Sequence, residues 1–290
     1  MLADAIRAEG YRLSKNRTAL FWSVLFVPLV SVALGVLTNF VLRGSQTKLL
    51  GDGKAPEAIK HMLAGGPLDL GQALVESTAS LANPLVLLFV LIGAATLYAG
   101  DYRWETWRLI SARNSRSNLL LGKLAMVGLL SIAAMALMLV AGLIENLIKA
   151  TVFERPLAFS LTGSMAGQLF AYAGLSGLRI VQFTMMGLLA AVVTRSLLAA
   201  LFVPLVVGVA QFFSPQLLMQ MGTPPDAWLS LLVNPGSAAD AVKALIEGGP
   251  AAAALPAGLA LKAWFSLTLW TLVPLAGALA WFQRQDLSKE

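Results

Sequence analysis

The sequence predicts an all-α polytopic membrane protein with six transmembrane helices. Of its 290 residues 58% are hydrophobic and only 12% are charged, about half the usual share for a soluble domain. The mean hydropathy is +0.75, and several apolar stretches are long enough to cross a bilayer. Together these observations exclude a disordered chain, a collagen-like fibre and an ordinary soluble enzyme.

Residues 1–18 are predicted to form an amphipathic helix at the membrane interface. An apolar stripe recurs at spacings of three and four, and basic residues flank it. The stripe consists of Leu2, Ala5, Ile6 and Leu13, with Glu9 at the same spacing, and the flank of Arg7, Arg12, Lys15 and Arg17. Such a helix can lie among the lipid headgroups beside the first span, whereas a merely polar cytoplasmic extension is the alternative. The mixed charges before Ala19 are not typical of a cleavable signal peptide.

The apolar runs predict six spans, which make residues 1–290 a single transmembrane domain. The runs cover 19–42, 82–100, 124–147, 168–194, 197–213 and 262–282. A charged segment, 101–122, separates spans 2 and 3. Prolines and glycines recur through 214–260, so this stretch is predicted to be an external loop.

The basic residues predict the orientation of the chain, because an even number of spans places both termini on one side. With the N-terminus inside, twelve of the 21 Lys and Arg residues fall in inner segments and eight in outer ones. The inner segments are also only about half as long as the outer ones. The positive-inside rule therefore places both termini in the cytoplasm. This topology accounts for the formal charge of +6, so nucleic acid is not an expected partner.

The charged segment 101–122 is unusual for a simple connection between spans. Asp101 and Glu105 lie four residues apart, and on a helix Trp104 and Trp107 would share an apolar side. The opposite, basic side would carry Arg103, Arg108, Arg113 and Arg116. A short amphipathic helix of this kind is suited to docking a cytoplasmic partner. The alternative is a solvated basic loop that only fixes the topology.

At this segment the chain resembles the permease subunits of the type-2 ABC exporter family. An acid, a Thr-x-Arg, a Ser-Arg and a Gly-Lys entering the third span look like the cytoplasmic coupling region of that family. The matching residues are Asp101, Thr106, Arg108, Ser115, Arg116, Gly122 and Lys123. The N-terminal helix ending at Arg17, the turn 194–196 and the stretch Asn234–Pro235 also look like that family. Three positions depart from its pattern: Glu105 replaces a usual Gly, Asn114 a common Pro, and Asp101 a Glu.

The resemblance implies a membrane permease that couples ATP hydrolysis by a separate ABC ATPase subunit to export of a lipophilic or amphiphilic substrate. It further implies a homodimer of permeases with two ATPase copies, in the inner membrane of a bacterium. ATP and Mg would bind to the partner, and no cofactor to this chain. The chain has no Gly-x-x-x-x-Gly-Lys-Ser/Thr segment, so no enzyme activity of its own is expected. The alternative is a secondary carrier, or another polytopic membrane protein without an ATPase partner.

The resemblance also implies a set of ATPase-coupling residues within the charged segment. These are Asp101, Arg103, Trp104, Glu105, Thr106, Trp107, Arg108, Arg113 and Arg116. Glu9 and Arg12 of the N-terminal helix are expected to brace the segment.

Arg179 is the charged residue that falls clearly inside a predicted span. It lies either near the outer edge, where its side chain can reach the headgroups, or near the midplane, where a charge needs a partner or water. In the second case Arg179 and Gln182 would line a translocation path and attract an anionic group, with Glu145 as a possible partner of Arg179. The absence of cysteine and the single histidine predict neither a metal site nor a catalytic triad.

Overall fold

The computed structural model describes residues 2–51, 66–103, 106–107, 110 and 113–285. Within this part of the chain, six helices are long and apolar enough to cross a membrane, which confirms the predicted all-α polytopic class. The spans are Arg17–Ser45, Pro84–Tyr102, Arg116–Val152, Gly163–Thr194, Leu197–Gln220 and Leu259–Arg284. The chain is therefore a multi-pass membrane protein.

Helices make up nearly all of the regular structure in the described residues, and we number them in chain order. An N-terminal helix, α1 (Leu2–Lys15), precedes a first span made of α2 (Arg17–Leu20), a π-helical segment (Phe21–Leu25) and α3 (Phe26–Gly51). The other helices are α4 (Leu70–Ala79), α5 (Pro84–Arg103), α6 (Arg116–Val152), α7 (Gly163–Thr194), α8 (Leu197–Gln220), α9 (Trp228–Val233), α10 (Pro235–Glu247), α11 (Gly249–Ala253) and α12 (Leu259–Arg284). Two short strands, β1 (Leu68–Asp69) and β2 (Leu157–Ala158), pair in parallel.

The fourth span, α7, is the central helix of the bundle. It packs against α4, α5, α6, α8, α10 and α12. Its side chains at Ile180, Leu188 and Ala191 are fully buried in the main apolar core. By contrast, α3 and α8 are mostly exposed along their apolar windows. Exposed apolar faces on spanning helices are the surfaces that face lipid or another chain.

The two ends of the bundle are distinct, and we call them the terminal end and the distal end. At the terminal end α1 meets the end of α5 and the start of α6, and the end of α12 meets the start of α6 through Arg116. Gln285, just after α12, donates from Nε2 to the carbonyl of Val192 in α7 at 3.3 Å. The distal end carries α4, the strands, and the helices α9 to α11 between spans 5 and 6. Both ends of the described chain thus lie at the terminal end.

Several helices begin with a polar side chain that caps the first turn. Ser115, Thr162 and Ser196 each accept a bond from a backbone amide in the first turn of the helix that follows. Arg195 has a positive φ of 57° between α7 and α8, a left-handed conformation that commonly ends a helix. The sequence Thr194–Arg195–Ser196 therefore makes a tight turn at the terminal end.

Several helices extend beyond the apolar runs that predicted them. Helix α6 begins at Arg116, inside the predicted 101–122 segment, and α8 continues to Gln220 rather than ending near 213. The stretch 214–260 also contains α9, α10 and α11. Hydropathy detects the membrane-compatible part of a helix, whereas polar turns at its ends are held by caps and tertiary contacts.

A polar clasp holds two distal segments together. Asp69 caps α4 by accepting from the amide of Gly71 at 2.8 Å, and it also accepts from the amide of Ser160 at 3.1 Å and from the Ser160 hydroxyl. These bonds hold the pKa of Asp69 below its ordinary value of 3.8, chiefly through the Ser160 hydroxyl. Nearby, Arg43 pairs with Glu154 at 2.7 Å.

Candidate coupling site at the terminal end

A buried lysine lies at the centre of the terminal end. Lys123 is only 1% exposed and lies about two turns into α6. Its Nζ lies 2.9 Å from Glu9 Oε1, 2.7 Å from the carbonyl oxygen of Leu97 and 2.5 Å from Asp101 Oδ2. The ammonium group also lies over the ring of Trp107, 5.2 Å from the ring centroid. Because these partners come from α1 and α5, the buried ammonium group links both helices to α6.

Asp101 is the second buried charge of the group and lies near the end of α5. It is 3% exposed, and its Oδ1 accepts from Arg12 Nη1 at 2.7 Å and from the hydroxyl of Thr106. The amide of Thr106 donates to the backbone carbonyl of Asp101 at 3.0 Å. Asp101 thus connects α1, α5, α6 and the segment that follows α5.

We call Glu9, Arg12, Asp101, Thr106 and Lys123 the charge cluster. It contains two carboxylates and two cations, so its formal charges balance. Arg12 also lies 3.4 Å from Glu9 Oε1, and about two fifths of its side chain is exposed. A buried group of charges is tolerated only when its members are paired, and both carboxylates of the cluster form ion pairs with its cations.

The N-terminal helix reaches the charge cluster because of a close contact with α6. Helix α1 buries Ala5, Glu9 and Leu13, which lie on one face at spacings of four. A Cβ atom added at Gly122 would lie 2.9 Å from the Ala5 Cβ, closer than such atoms approach. Gly122 is therefore the position that lets α1 lie against α6 and bring Glu9 to Lys123.

Two further residues, Trp107 and Arg116, anchor the connection between α5 and α6 to the rest of the bundle. Trp107 is fully buried, and its ring packs against Phe282 and Tyr102 at centroid distances of 4.6 and 5.5 Å. Arg116 donates from Nη1 to the carbonyl oxygens of Phe282, Gln283 and Gln285 at 2.7–3.1 Å. A guanidinium at these carbonyls satisfies acceptors that the end of α12 leaves unpaired.

The structure brings together part of the residue set expected from the sequence. Glu9, Arg12, Asp101 and Thr106 meet in the charge cluster, while Arg113 is exposed near the start of α6. Arg103 ends α5, but its side chain lies outside the described part of the structure, and so do residues 104, 105 and 108 altogether (Trp104, Glu105 and Arg108). These four remain predictions.

Sequence reasoning matched Lys123 to the family pattern but left it out of the expected coupling residues, although it supplies the central cation. Its signal was a lysine at the edge of a long apolar run, next to a glycine. A charge so placed is costly unless it is paired, and the acids at 9 and 101 were available.

A cleft of about 340 Å³ opens beside the charge cluster. It is lined by cluster residues together with Asn16, Thr96 and Gly100. The cluster therefore borders an open cleft, even though its carboxylates and ammonium group are buried.

The residues expected on a translocation path occupy a different region. Arg179 lies in the middle of α7 and donates from Nη1 to Gln182 Oε1, while Gln182 Nε2 donates to the carbonyl of Leu267 at 3.2 Å. The suggested partner Glu145 was wrong, because its Oε1 accepts from Ser31 at 2.6 Å instead. Glu145 packs against Gly35 of the first span, where an added Cβ atom would lie 2.9 Å from its side chain. Glu145 therefore contacts α3.

The acids of the charge cluster are paired with cations, and within the described residues no group of His, Cys, Asp or Glu could hold a metal ion. The structure thus shows six spanning helices joined at one end by a buried charge cluster beside a cleft.

The family of the chain is given by comparison with known sequences. The family model described as "ABC-2 family transporter protein" matches residues 9–287, nearly the whole chain, so the protein belongs to this family. It is the membrane permease subunit of an ABC transporter, and permeases of this family generally work with an ATPase subunit. No curated protein and no solved structure matches the chain significantly.

Proposed function

We propose that the chain is the permease of an ATP-driven exporter, and that a separate ATPase subunit docks on residues 101–118 at the terminal end. Closure of the ATPase subunits would push on this segment. Because the segment is joined to α1 and α6 through the charge cluster, the push would rearrange the spans. Membership of the family supports the role as a transporter permease. The contacts of the charge cluster support the path by which the push would reach the spans.

The observation that carries the proposal is the set of contacts around Lys123. They join the N-terminal helix through Glu9, the second span through Leu97 and Asp101, and the third span through Lys123 itself. Thr106 ties the connecting segment to the same carboxylate. A displacement of the segment is thereby passed to three elements at once, rather than absorbed by a loose loop.

The remaining features of the proposal follow from the topology and the apolar surfaces. The terminal end faces the cytoplasm of a bacterial cell because it carries the denser basic residues. Two permeases and two ATPase copies assemble, with ATP and Mg held by the ATPases. The exposed apolar faces of α3 and α8 supply surfaces for lipid and for the second permease. The cargo is lipophilic or amphiphilic and leaves the cell.

Affinity purification of the full chain from its native membrane tests the proposal. We expect an ATPase with a Gly-x-x-x-x-Gly-Lys-Ser/Thr segment to co-purify in a one-to-one ratio. The variant Arg113→Glu should reduce the amount of co-purified ATPase, since Arg113 is exposed beside the docking segment. Arg284→Glu is the matched control, because it reverses an exposed charge at the same end but outside the segment.

Two results would overturn the proposal. If no ATPase accompanies the chain from its native membrane, a secondary carrier becomes the better account. If Arg113→Glu and Arg284→Glu lower the recovered ATPase equally, docking depends on overall charge and not on residues 101–118.

A further inference from the structure

The distal half of the bundle contains a large cavity that the coupling site does not use. Its volume is about 870 Å³, within the range of small-molecule sites. It lies between the start of α5, the middle of α7, the end of α8 and the first turns of α10. The charge cluster lies at the opposite end of α5, the helix that the two regions share, so the two regions are separate.

The cavity walls are largely apolar and partly open at the side. Leu85, Leu88, Phe183 and Leu205 contribute to them, and Phe212, which is 73% exposed, lies at the mouth. An opening lined by exposed apolar side chains on spanning helices leads to the acyl region of a bilayer. Such a cavity suits a molecule with a long apolar part.

Polar donors are gathered in one region of this lining. Arg179 lines the cavity, and its guanidinium makes a hydrogen bond to Gln182, which uses one of its five N–H donors. Gln211 of α8 also lines the cavity; it is 8% exposed, and its Nε2 has no partner among the described residues. A buried amide donor without a partner is costly, so a ligand that supplies an acceptor to it would be stabilised.

Asn234 holds the start of α10 beside these polar donors. Its Oδ1 accepts from the amides of Gly236 and Ser237, and its Nδ2 donates to the backbone carbonyl of Gln211 at 2.9 Å. A Cβ atom added at Gly236 would lie 3.7 Å from Arg179 Nη2. The positive end of the α10 dipole therefore lies beside Arg179, which is unfavourable for the cation and favourable for an anion between them.

Two further charged groups, Asp240 and Lys243 of α10, line the cavity with Arg179. They lie 3.5 Å apart at the exposed rim, and Asp240 also attracts Arg179. The three charged side chains of the described lining carry one net positive charge. No acid in this part of the chain makes an ion pair with Arg179.

From these contacts we infer that the cavity binds an amphiphile with an anionic headgroup. A phosphate or carboxylate head would accept from Arg179 and from the Gln211 amide, and the apolar part would extend past Phe212 toward the bilayer. We assign this ligand to the exported cargo rather than to a resident lipid, an assignment that rests on the proposed function.

Photoaffinity labelling of the full chain alone, in phosphatidylcholine nanodiscs, tests this inference. Three probes carry the same hexadecyl chain and diazirine but differ in the head: phosphate, trimethylammonium or hydroxyl. The native chain should be labelled along the cavity helices at the lowest concentration by the phosphate probe. Arg179→Gln should raise the half-saturating concentration of that probe by about ten- to a hundredfold, as for loss of a charged hydrogen bond.

Matched variants separate recognition from folding. Arg179→Lys should retain most of the affinity, and Gln211→Met should weaken the phosphate probe alone, by about threefold or more. Arg284→Gln, at the opposite end, should change nothing. If Arg179→Gln fails to fold, the comparison of the three probes on the native chain and on Gln211→Met still decides the matter.

The inference is overturned if the native chain takes all three probes equally, or if Arg179→Gln and Gln211→Met leave the phosphate probe unchanged. Competition by phosphatidylglycerol in the nanodisc would support the anionic site but assign its occupant to a bilayer lipid; no competition supports a cargo. Because no ATPase takes part, this experiment can fail while the ATPase still co-purifies, and the reverse also holds.

Discussion

The charge cluster and the distal cavity differ in how their charged groups are paired. At the terminal end, the ammonium group of Lys123 contacts three oxygen atoms, and both carboxylates of the charge cluster have cationic partners. In the cavity, the amide nitrogen of Gln211 has no partner among the described residues, and Arg179 makes no ion pair there. Satisfied charges hold elements together, whereas surplus donors are free to bind something else. The difference fits the transmitting role proposed for the first region and the binding role proposed for the second.

Removal of the central cation should have the largest effect on stability. Lys123→Met leaves two buried carboxylates with Arg12 as the remaining cation, so we expect the free energy of unfolding to fall by about 3–5 kcal/mol. Titration with sodium dodecyl sulfate in mixed micelles, followed by tryptophan fluorescence, measures it. The control is Lys243→Met, whose ion pair with Asp240 is exposed and contributes only about 0–1 kcal/mol. Equal losses in both variants would remove the distinction between the two regions.

A pair of glycines on one helix tests the close contact between α1 and α6. Gly122→Ala places a methyl group against Ala5, and overpacking of this kind costs about 1–3 kcal/mol. Gly128→Ala meets nothing within 4 Å, so it should instead stabilise the helix by about 0.5–1 kcal/mol. The same micelle titration compares them. Opposite signs are expected, and a gain in stability for Gly122→Ala would show that α1 does not lie tightly on α6.

Loss of the unpartnered amide in the cavity should not destabilise the chain. Gln211→Met keeps a similar volume but removes a buried donor that lacks an acceptor, so stability should be unchanged or rise by up to about 1–3 kcal/mol. Binding of the hexadecyl phosphate probe should weaken in the same variant. A marked loss of stability would mean that Gln211 holds the fold, as the cluster residues do.

The smallest effect is expected at the distal clasp, through the pH dependence of Asp69. Its pKa is lowered in the folded chain by the Ser160 hydroxyl, so the clasp contributes stability above the unfolded pKa. That contribution is lost as the pH falls through the lowered pKa. Spin labels at Pro67→Cys and Leu157→Cys, in a chain without cysteines of its own, should move apart on acidification. With Ser160→Ala the separation should begin at a higher pH; an unchanged midpoint would contradict the assigned cause.

The sequence was sufficient for the spans and the unusual character of residues 101–122, because both depend on local composition. It was insufficient for the partners of the charges, since these come from residues far apart in the chain. Glu9 and Lys123 are 114 positions apart, and nothing near either residue specifies the other. For the same reason Glu145 was named as a possible partner of Arg179, although the packing of α3 against α6 pairs it with Ser31.

The cavity lining likewise could not be predicted from local sequence alone. Arg179 stands out in the sequence as a charge within an apolar run, but Gln211 does not stand out at all. Its importance comes from the way Asn234 fastens α10 to α8, which places an unpaired amide in the lining. An Asn-Pro pair suits a helix start, yet the contact of Asn234 with Gln211 depends on the folded bundle.

The central claim is that the charge cluster carries the ATPase cycle to the spans, and a distance measurement tests it most directly. Spin labels at Leu85→Cys and Phe212→Cys report the width of the cavity mouth in the complex with the ATPase. ATP should change this distance in the labelled native chain and in Arg284→Gln. In Asp101→Asn, which keeps an acceptor for Thr106 but loses the charge facing Lys123 and Arg12, ATP should still be hydrolysed while the distance stays constant. An ATP-dependent change of full amplitude in Asp101→Asn would contradict the account.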